Sequence, residues 1–131
     1  MSEKFLSKMS VVCILFDELS FKRHGFKNDN EVEFSFEIDT LRNIENENFH
    51  KVVIKVGVSK EAEYELMVEI SGVFEFVDSV PEEIKEDLLT KNAVAILMPY
   101  IRSEISILTA QPDTDSLVLP ILDISKMMSN V

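Results

Sequence analysis

Three stretches of the chain alternate apolar and polar residues, the pattern of β-strands with one buried face. The clearest covers residues 31–39, where four apolar side chains alternate with acidic or hydroxyl ones. Residues 52–58 and 64–77 repeat the pattern, and Gly72 inside the last stretch predicts a bend or bulge. Residues 11–16 are continuously apolar, which predicts a strand covered on both faces, either inside the subunit or by another copy. Short connections between these stretches predict one curved antiparallel sheet.

The apolar spacing changes after the fourth strand. Residues 92–110 contain an uncharged run whose apolar side chains point to every side of a helix, which predicts a long, enclosed helix. Pro99 predicts a kink in it. Ser79 predicts the cap of a short preceding helix, with a break at residues 90–92, and residues 121–128 have the spacing of a brief terminal helix. The predicted fold class is therefore α+β: a four-stranded curved antiparallel sheet, then a long kinked helix and a short C-terminal helix.

Length and charge narrow the class of protein. At 131 residues the chain predicts a single domain, residues 1–131. Its formal net charge of −11 disfavours nucleic acid and anionic membranes and favours basic or weakly charged partners. A single cysteine excludes an internal disulfide, and without a leader-like start the chain is expected to be cytoplasmic. No apolar run reaches the length of a membrane span, which predicts no membrane insertion.

The residues do not predict an enzyme, a cofactor or a metal. Three isolated glycines form no phosphate-binding loop and flank no serine as a nucleophile elbow requires. The two histidines lack a ligand at metal-binding spacing, and Cys13 lies within an apolar run, where a buried thiol is inert. Arg102 and Glu104 are interpreted as an ordinary ion pair.

The chain carries more apolar surface than one sheet and one long helix are expected to cover. Hydrophobic residues make up 46% of it. This surplus predicts association between copies through the first strand and the long helix. The interface residues expected there are Val12, Ile14, Leu97, Ile101 and Ile105.

Three short motifs resemble the bacterial protein-export chaperone SecB. They are Ile96-Leu97-Met98-Pro99-Tyr100-Ile101-Arg102 on the long helix, Gly72-Val73-Phe74 on the last strand, and Leu117-Val118-Leu119-Pro120-Ile121-Leu122. The order of four strands followed by helices matches the family over nearly the whole chain. Met98 and Ile101 stand where the family has Phe and Ala, so the resemblance is to a divergent member.

The resemblance implies a homotetramer, a dimer of dimers, with the long helices packed between sheets. It also implies binding of unfolded polypeptides or preproteins in apolar grooves, without ATP. The groove walls it implies are Leu41, Ile44 and Phe49 on a loop crossing the sheet, Val73 and Phe74 on the last strand, and Tyr100 on the helix.

An acidic patch on the outer sheet of SecB proteins docks the export motor ATPase SecA, so the resemblance implies SecA as a further partner. Glu18 and Glu69 are the acidic residues of this chain assigned to such docking. Glu65 and Met67 stand where the family supplies a Leu and a Glu, and Lys22 replaces a further acid. These departures weaken the case for the motor more than the case for the chaperone.

Three other functions are compatible with the sequence. Some SecB-like proteins are dedicated chaperones of one partner, such as the antitoxin of a toxin–antitoxin pair. A hot-dog-like hydrolase or dehydratase also wraps a curved sheet around a long helix, although that helix precedes most of the strands. A structural assembly subunit is the third alternative.

Overall fold

Four long strands and one long helix make up the fold, confirming the predicted α+β class. The computed structural model describes residues 8–77 and 80–119. Its elements are β1 (Met9–Arg23), β2 (Val32–Arg42), β3 (Phe49–Lys60), β4 (Tyr64–Phe76) and α1 (Glu82–Thr109). The cap predicted at Ser79 and the terminal helix predicted at residues 121–128 lie outside the described residues.

The sheet is antiparallel and has the order β1-β4-β3-β2. The first two strands along the chain therefore form its two edges. A tight turn with Ala62 at φ 63° joins the two central strands. Because edge strands have one row of unpaired backbone groups, β1 and β2 are the two places where another chain could extend the sheet.

Alternation along the central strands gives the sheet two different faces. Val52, Ile54, Val68 and Ile70 are completely buried on one face, which α1 covers above β3 and β4. We call this the inner face and the opposite one the outer face. The core therefore lies between the two central strands and the helix, and the edge strands are less covered.

Helix α1 is continuous over 28 residues, so the break predicted at residues 90–92 is wrong. Buried side chains recur every four residues, at Lys85, Leu89, Ala93 and Leu97. They form one stripe along the helix that continues past residues 90–92, where the break was expected. The Thr90 hydroxyl donates a hydrogen bond to the Glu86 carbonyl inside the helix. Packing of the stripe against the sheet thus outweighs the weak helix propensity of this segment.

The irregularity predicted at Gly72 lies in the neighbouring strand instead. The pairing of β3 with β4 is regular through Gly72, whereas β1 shifts register between Val11 and Cys13 and again between Phe16 and Glu18. A Cβ atom at Gly72 would lie 2.8 Å from Cε2 of Phe74. The glycine is therefore needed to make room for the Phe74 ring.

The expectation that the subunit itself covers both faces of β1 is wrong. Val12, Leu15 and Leu19 are all exposed along its length. The other expectation, cover by a second copy, stays a prediction.

A buried ion pair ties the connection between β1 and β2 to the turn between β3 and β4. The Glu63 side chain is fully buried, and its Oε1 accepts hydrogen bonds from the Asn28 N–H at 2.9 Å and the Lys60 ammonium at 3.0 Å. The same ammonium donates to the Asn28 carbonyl at 2.7 Å. This network fixes the segment that carries the chain from one edge of the sheet to the other.

Candidate functional site

An apolar cleft lies where the outer face of the sheet meets the loop between β2 and β3. It has a volume of about 270 Å³, and its apolar lining comes from Leu41, Phe49 and Val73. The strand register explains this grouping: Leu41 pairs with Lys51, and Lys51 pairs with Val73 on the other side. Side chains opposite one another on adjacent strands lie about 5 Å apart, so three strands contribute to one surface. We call this surface the β2–β3 cleft.

The loop beside the cleft is held by its own asparagines. The Asn43 side-chain oxygen accepts hydrogen bonds from the N–H groups of Glu45 and Asn46, and the Asn46 carbonyl accepts one from the Phe49 N–H. Side-chain acceptors of this kind define a turn without the help of buried packing. They present Ile44 to solvent with 97% of its surface exposed. A large apolar side chain therefore stands unprotected next to an apolar cleft.

Two basic side chains, Arg42 and Lys51, are among the residues that line the cleft. Lys51 lies between Leu41 and Val73 and forms no ion pair within the described residues. Arg42, which also lines the cleft, pairs with Glu82 of α1 at 2.9 Å. Within residues 8–77 and 80–119, the cleft thus combines apolar area with an ammonium that forms no ion pair.

His50 also lines the cleft and has a perturbed pKa. Burial lowers the pKa of the imidazole, and the neighbouring Lys85 ammonium lowers it further, although a hydrogen bond with the Asn48 backbone acts in the opposite direction. The ring meets Phe76 edge-on, with 5.3 Å between the ring centres. The imidazole is therefore neutral at pH 7 and packs as part of the core.

Of the six implied groove residues, three line the cleft, a fourth lies beside it and two lie elsewhere. Leu41, Phe49 and Val73 line the β2–β3 cleft, and Ile44 stands beside it. Phe74 is completely buried on the inner face, because it follows the same alternation as Ile70. Tyr100 is half exposed on α1, which lies on the other side of the sheet from the cleft.

The five expected interface residues divide into two groups. Leu97, Ile101 and Ile105 are completely buried within their own subunit, since they form the stripe of α1 that faces the sheet. Val12 is exposed on β1, and Ile14 is partly buried against the core. The apolar surface left open on α1 belongs to other residues: Ala95, Pro99, Tyr100 and Ile107.

Glu18 and Glu69 are direct partners across β1 and β4, on the outer face. They continue into a row with Lys55 of β3 and Glu37 of β2. A trough of about 600 Å³ lies along this row, and Glu18, Glu37, Lys55 and Gly57 are among the residues that line it. The outer face is therefore apolar near the β2–β3 cleft and charged at its other end.

Metal-ligating side chains do not cluster in the part of the chain that the structure describes. Residues 8–77 and 80–119 contain no group of three His, Cys, Asp or Glu side chains placed to hold a metal ion. Over the same residues, no helix has the length and hydropathy needed to span a membrane. The described residues present exposed apolar side chains and two strand edges to a partner.

Sequence reasoning missed Lys51 and the asparagines that shape the loop. The pair Asn43 and Asn46, three residues apart between two strands, is a turn signal that could have been found. The position of Lys51 within the apolar surface depends on register between three strands, which no local pattern contains.

Comparisons with known proteins give one family match and similar chains from three organisms. The family model described as Preprotein translocase subunit SecB matches residues 6–130. An uncharacterized protein of Methanocaldococcus jannaschii is 30% identical over 110 residues, covering 79% of this chain and 70% of that protein. Among solved structures, a SecB-like chaperone of Mycobacterium tuberculosis, in complex with a ChAD peptide from an antitoxin, matches with a TM-score of 0.75 and 16% identity over 92% of each chain. A Streptococcus agalactiae protein of unknown function matches with a TM-score of 0.52 and 12% identity over 87% of this chain and 98% of that one.

Proposed function

The chain belongs to the SecB family, and from this premise we propose that it is an ATP-independent holdase that keeps unfolded polypeptides from aggregating. The observation that carries the proposal is the β2–β3 cleft, where Leu41, Phe49 and Val73 meet beside the fully exposed Ile44. Contiguous exposed apolar area, unlike a single exposed apolar side chain, is typical of a binding surface, and here four apolar side chains lie together.

The physical basis of binding would be burial of apolar side chains of the client. Each Å² of apolar surface removed from water contributes about 25 cal/mol, so one buried Leu or Phe side chain contributes roughly 2 kcal/mol. A single cleft of about 270 Å³ holds only one or two such side chains. Weak, reversible contacts at each cleft, repeated over several copies, would hold a long unfolded chain without any need for nucleotide hydrolysis.

Assembly into a homotetramer, a dimer of dimers, is part of the same proposal. Two apolar surfaces of the subunit support it: the exposed side chains of β1, including Phe16 and Leu19, and the open stripe of α1 with Tyr100 and Ile107. Two contacts of different kinds are what a dimer of dimers requires. In such an assembly several β2–β3 clefts would be available to one client.

A role in protein export, with SecA as the docking motor, is the finer part of the proposal. Glu18 and Glu69 support it because they lie side by side on the outer face. Lys22 and Met67 interrupt the acidic surface on neighbouring positions of the same two strands. Binding of purified SecA, measured with and without Glu18→Lys and Glu69→Lys, would test this part separately.

Dedication to one partner is a second candidate function. The solved SecB-like chaperone that resembles this chain binds a peptide from an antitoxin. Proteins captured by the tagged chain from its own cells would distinguish the two functions: one dominant partner in stoichiometric amount indicates dedication, whereas many partners indicate a general holdase. The SecB family match gives no support to the hot-dog hydrolase alternative.

Aggregation of a chemically unfolded client, followed by light scattering, tests the proposed function. The wild-type protein is expected to suppress scattering near stoichiometric amounts, and the double variant Leu41→Ser/Ile44→Ser is expected to lose most of this effect. The matched control is Phe26→Ser/Val118→Ser, which removes two exposed apolar side chains that do not line the cleft. Equal losses in both variants, or no suppression by the wild type, would refute the proposal.

A further inference from the structure

Charged side chains meet where the β2–β3 loop, residues 43–48, contacts the start of α1. The Lys85 ammonium donates a hydrogen bond to Asn48 Oδ1 at 3.2 Å and lies 3.1 Å from Glu82 Oε2. Glu82 also pairs with Arg42, at the end of β2, at 2.9 Å. We call these four side chains, together with His50, the loop junction. Its one carboxylate therefore already serves two cations.

His50 is enclosed in the loop junction with one ring nitrogen unpaired. The residue is 8% exposed, and within the described residues its Nδ1 has no hydrogen-bond partner. The ring meets Phe76 edge-on, and the Lys85 ammonium lies 6.0 Å from the centre of the same Phe76 ring. A proton on Nδ1 would therefore bury a third positive charge that has no acceptor, which is costly in a protein interior.

Charged groups face His50 from β2 and from α1. Arg42 and Lys85 oppose protonation of the imidazole, whereas Glu82 favours it. The loop contributes the backbone of Asn48, and β4 contributes aromatic rings. Burial is the largest effect and lowers the pKa of the imidazole. The neutral imidazole therefore stabilises the closed loop above the usual pKa of 6.5, and this stabilisation is lost as the pH falls through the lower pKa of the closed state.

The loop junction also anchors one wall of the β2–β3 cleft. Hydrogen bonds inside the loop define its turn without help from the core. The loop is tied to the rest of the subunit by the bond from Lys85 to Asn48 and by a bond from the Phe76 N–H to the Asn48 carbonyl at 2.8 Å. Phe49, which lines the cleft, is the next residue. Loss of these anchors would therefore displace an apolar wall of the cleft.

We propose that the loop junction is a pH-sensitive latch on the β2–β3 cleft: protonation of His50 detaches residues 43–50 from α1, displaces Phe49 and releases bound client. The effect on client rests on the proposed holdase function, whereas the movement of the loop can be measured without client. One proton changes an equilibrium of this kind by at most about tenfold per pH unit. Client is therefore held at neutral pH and released on mild acidification.

NMR of the full-length protein tests the latch without client. Histidine and isoleucine are selectively labelled with ¹³C, and the ring and methyl signals are followed from pH 7.5 to pH 5, the range in which histidine titrates. The Ile44 methyl signal is expected to shift with the same midpoint as the His50 ring. His24, at the opposite end of the sheet, supplies the control. The Ile44 shift is expected to disappear in His50→Gln and to persist in His24→Gln.

Fluorescence anisotropy measures the effect on client. The labelled peptide contains Ser, Leu and Phe and has blocked ends, so the peptide itself does not titrate. Its affinity is expected to fall about fivefold to tenfold between pH 7.5 and pH 5 in the wild type and in His24→Gln, and less than about twofold in His50→Gln. Glu63 stays ionised in this range, because its pKa is below the usual 4.5.

A lysine variant separates the effect of charge from that of packing. Lys85→Met removes the ammonium and keeps an unbranched side chain, so the midpoint of the Ile44 shift is expected to move to higher pH. Lys91→Met is the matched control, because Lys91 lies on the same helix, is exposed and pairs with Asp87. Its midpoint is expected to equal that of the wild type. A purely structural role of Lys85 would weaken client binding at every pH without moving the midpoint.

An Ile44 signal that does not follow the His50 ring in the wild type would overturn the inference, and this result needs no variant. Equal pH dependence of affinity in the wild type and in His50→Gln, or an unchanged midpoint in Lys85→Met, would overturn it as well. If the peptide is bound equally at pH 7.5 and pH 5, the latch fails while the holdase function stands. If no peptide is bound at any pH, the holdase function fails, and the Ile44 signal decides the latch by itself.

Discussion

Replacing Gly72 with alanine tests how the core is packed between the sheet and α1. The new methyl group would lie 2.8 and 2.9 Å from two ring atoms of Phe74 and 3.2 Å from Cδ2 of Leu97, whereas ordinary contacts begin near 3.4 Å. Phe74 and Leu97 are both completely buried, so neither can move into solvent.

Two opposing effects set the change in the free energy of unfolding caused by Gly72→Ala. Overpacking of a closed core costs about 1–3 kcal/mol. The loss of backbone freedom in the unfolded chain returns about 0.5–1 kcal/mol to the alanine variant. From the middle of each range, we expect Gly72→Ala to lower the free energy of unfolding by about 1 kcal/mol, which at an m-value of about 2 kcal/mol/M corresponds to a fall of roughly 0.5 M in the urea midpoint.

Gly57→Ala is the matched control on the same sheet. A methyl group there would meet mainly the Ser35 hydroxyl, at 2.5 Å, and that hydroxyl can rotate away on the exposed outer face. The free energy of unfolding of Gly57→Ala should stay within about 0.5 kcal/mol of wild type. Unfolding is followed by circular dichroism at one fixed protein concentration, because association between subunits would also stabilise the fold.

Two results would contradict this account of Gly72. One is a Gly72→Ala midpoint equal to or higher than that of Gly57→Ala. The other concerns the double variant Gly72→Ala/Phe74→Leu. Because the smaller leucine side chain should relieve the clash, the double variant should lose less stability than the sum of the two single losses. A loss equal to that sum would contradict the account.

Three further predictions concern pH and assembly. Burial raises the pKa of Glu63, but hydrogen bonds from the Asn28 N–H and the Lys60 ammonium lower it more, so the net pKa is below the usual 4.5. The stabilisation this carboxylate provides is therefore present above about pH 4.5 and is lost as the pH falls through the folded pKa. Glu63→Gln should cost about 1–3 kcal/mol in urea unfolding at pH 7 and much less at pH 3, and an equal cost at both pH values would contradict the ion pair. The pKa of His50 is also lowered, chiefly by burial, so its contribution is present above pH 6.5 and is lost on acidification; the wild type should lose more stability than His50→Gln between pH 7 and pH 5. Phe16→Asp/Leu19→Asp should reduce the assembly mass measured by light scattering after gel filtration, whereas Val118→Asp should not, and an unchanged mass in the double variant would exclude β1 as a contact between copies.

The sheet could be predicted from the sequence because each strand carries its own alternation. The acidic pair Asp17 and Glu18 interrupts that pattern in β1, and a register shift between Phe16 and Glu18 absorbs the extra residue. Leu19 therefore continues on the same face as Phe16, opposite Val68 of β4. A local pattern shows that the alternation is broken but not that a bulge restores it.

The helix was predicted too short because its start looks polar. Thr90 and Asn92 have weak helix propensity, yet the four-residue spacing of Leu89, Ala93 and Leu97 continues through them. The four-residue spacing of the apolar side chains predicts the helix better than local propensity does, because it reflects the stripe that packs against the sheet.

The candidate site was predictable only in part. The β2–β3 cleft joins Leu41, Phe49 and Val73 through the register of three strands, which local periodicity does not contain. Phe74 shows the opposite case. It shares the parity of Ile70 and Phe76, so the alternation of β4 already assigned it to the buried face.

Photo-crosslinking is the most direct test of the claim that the β2–β3 cleft holds unfolded chains. A photoreactive amino acid is placed at Ile44 in one protein and at Phe26 in another; these residues are 97% and 89% exposed, on different loops. After illumination with a permanently unfolded client, crosslinked client is expected from position 44 and little from position 26. Equal crosslinking at both positions, or none at position 44, would contradict the account.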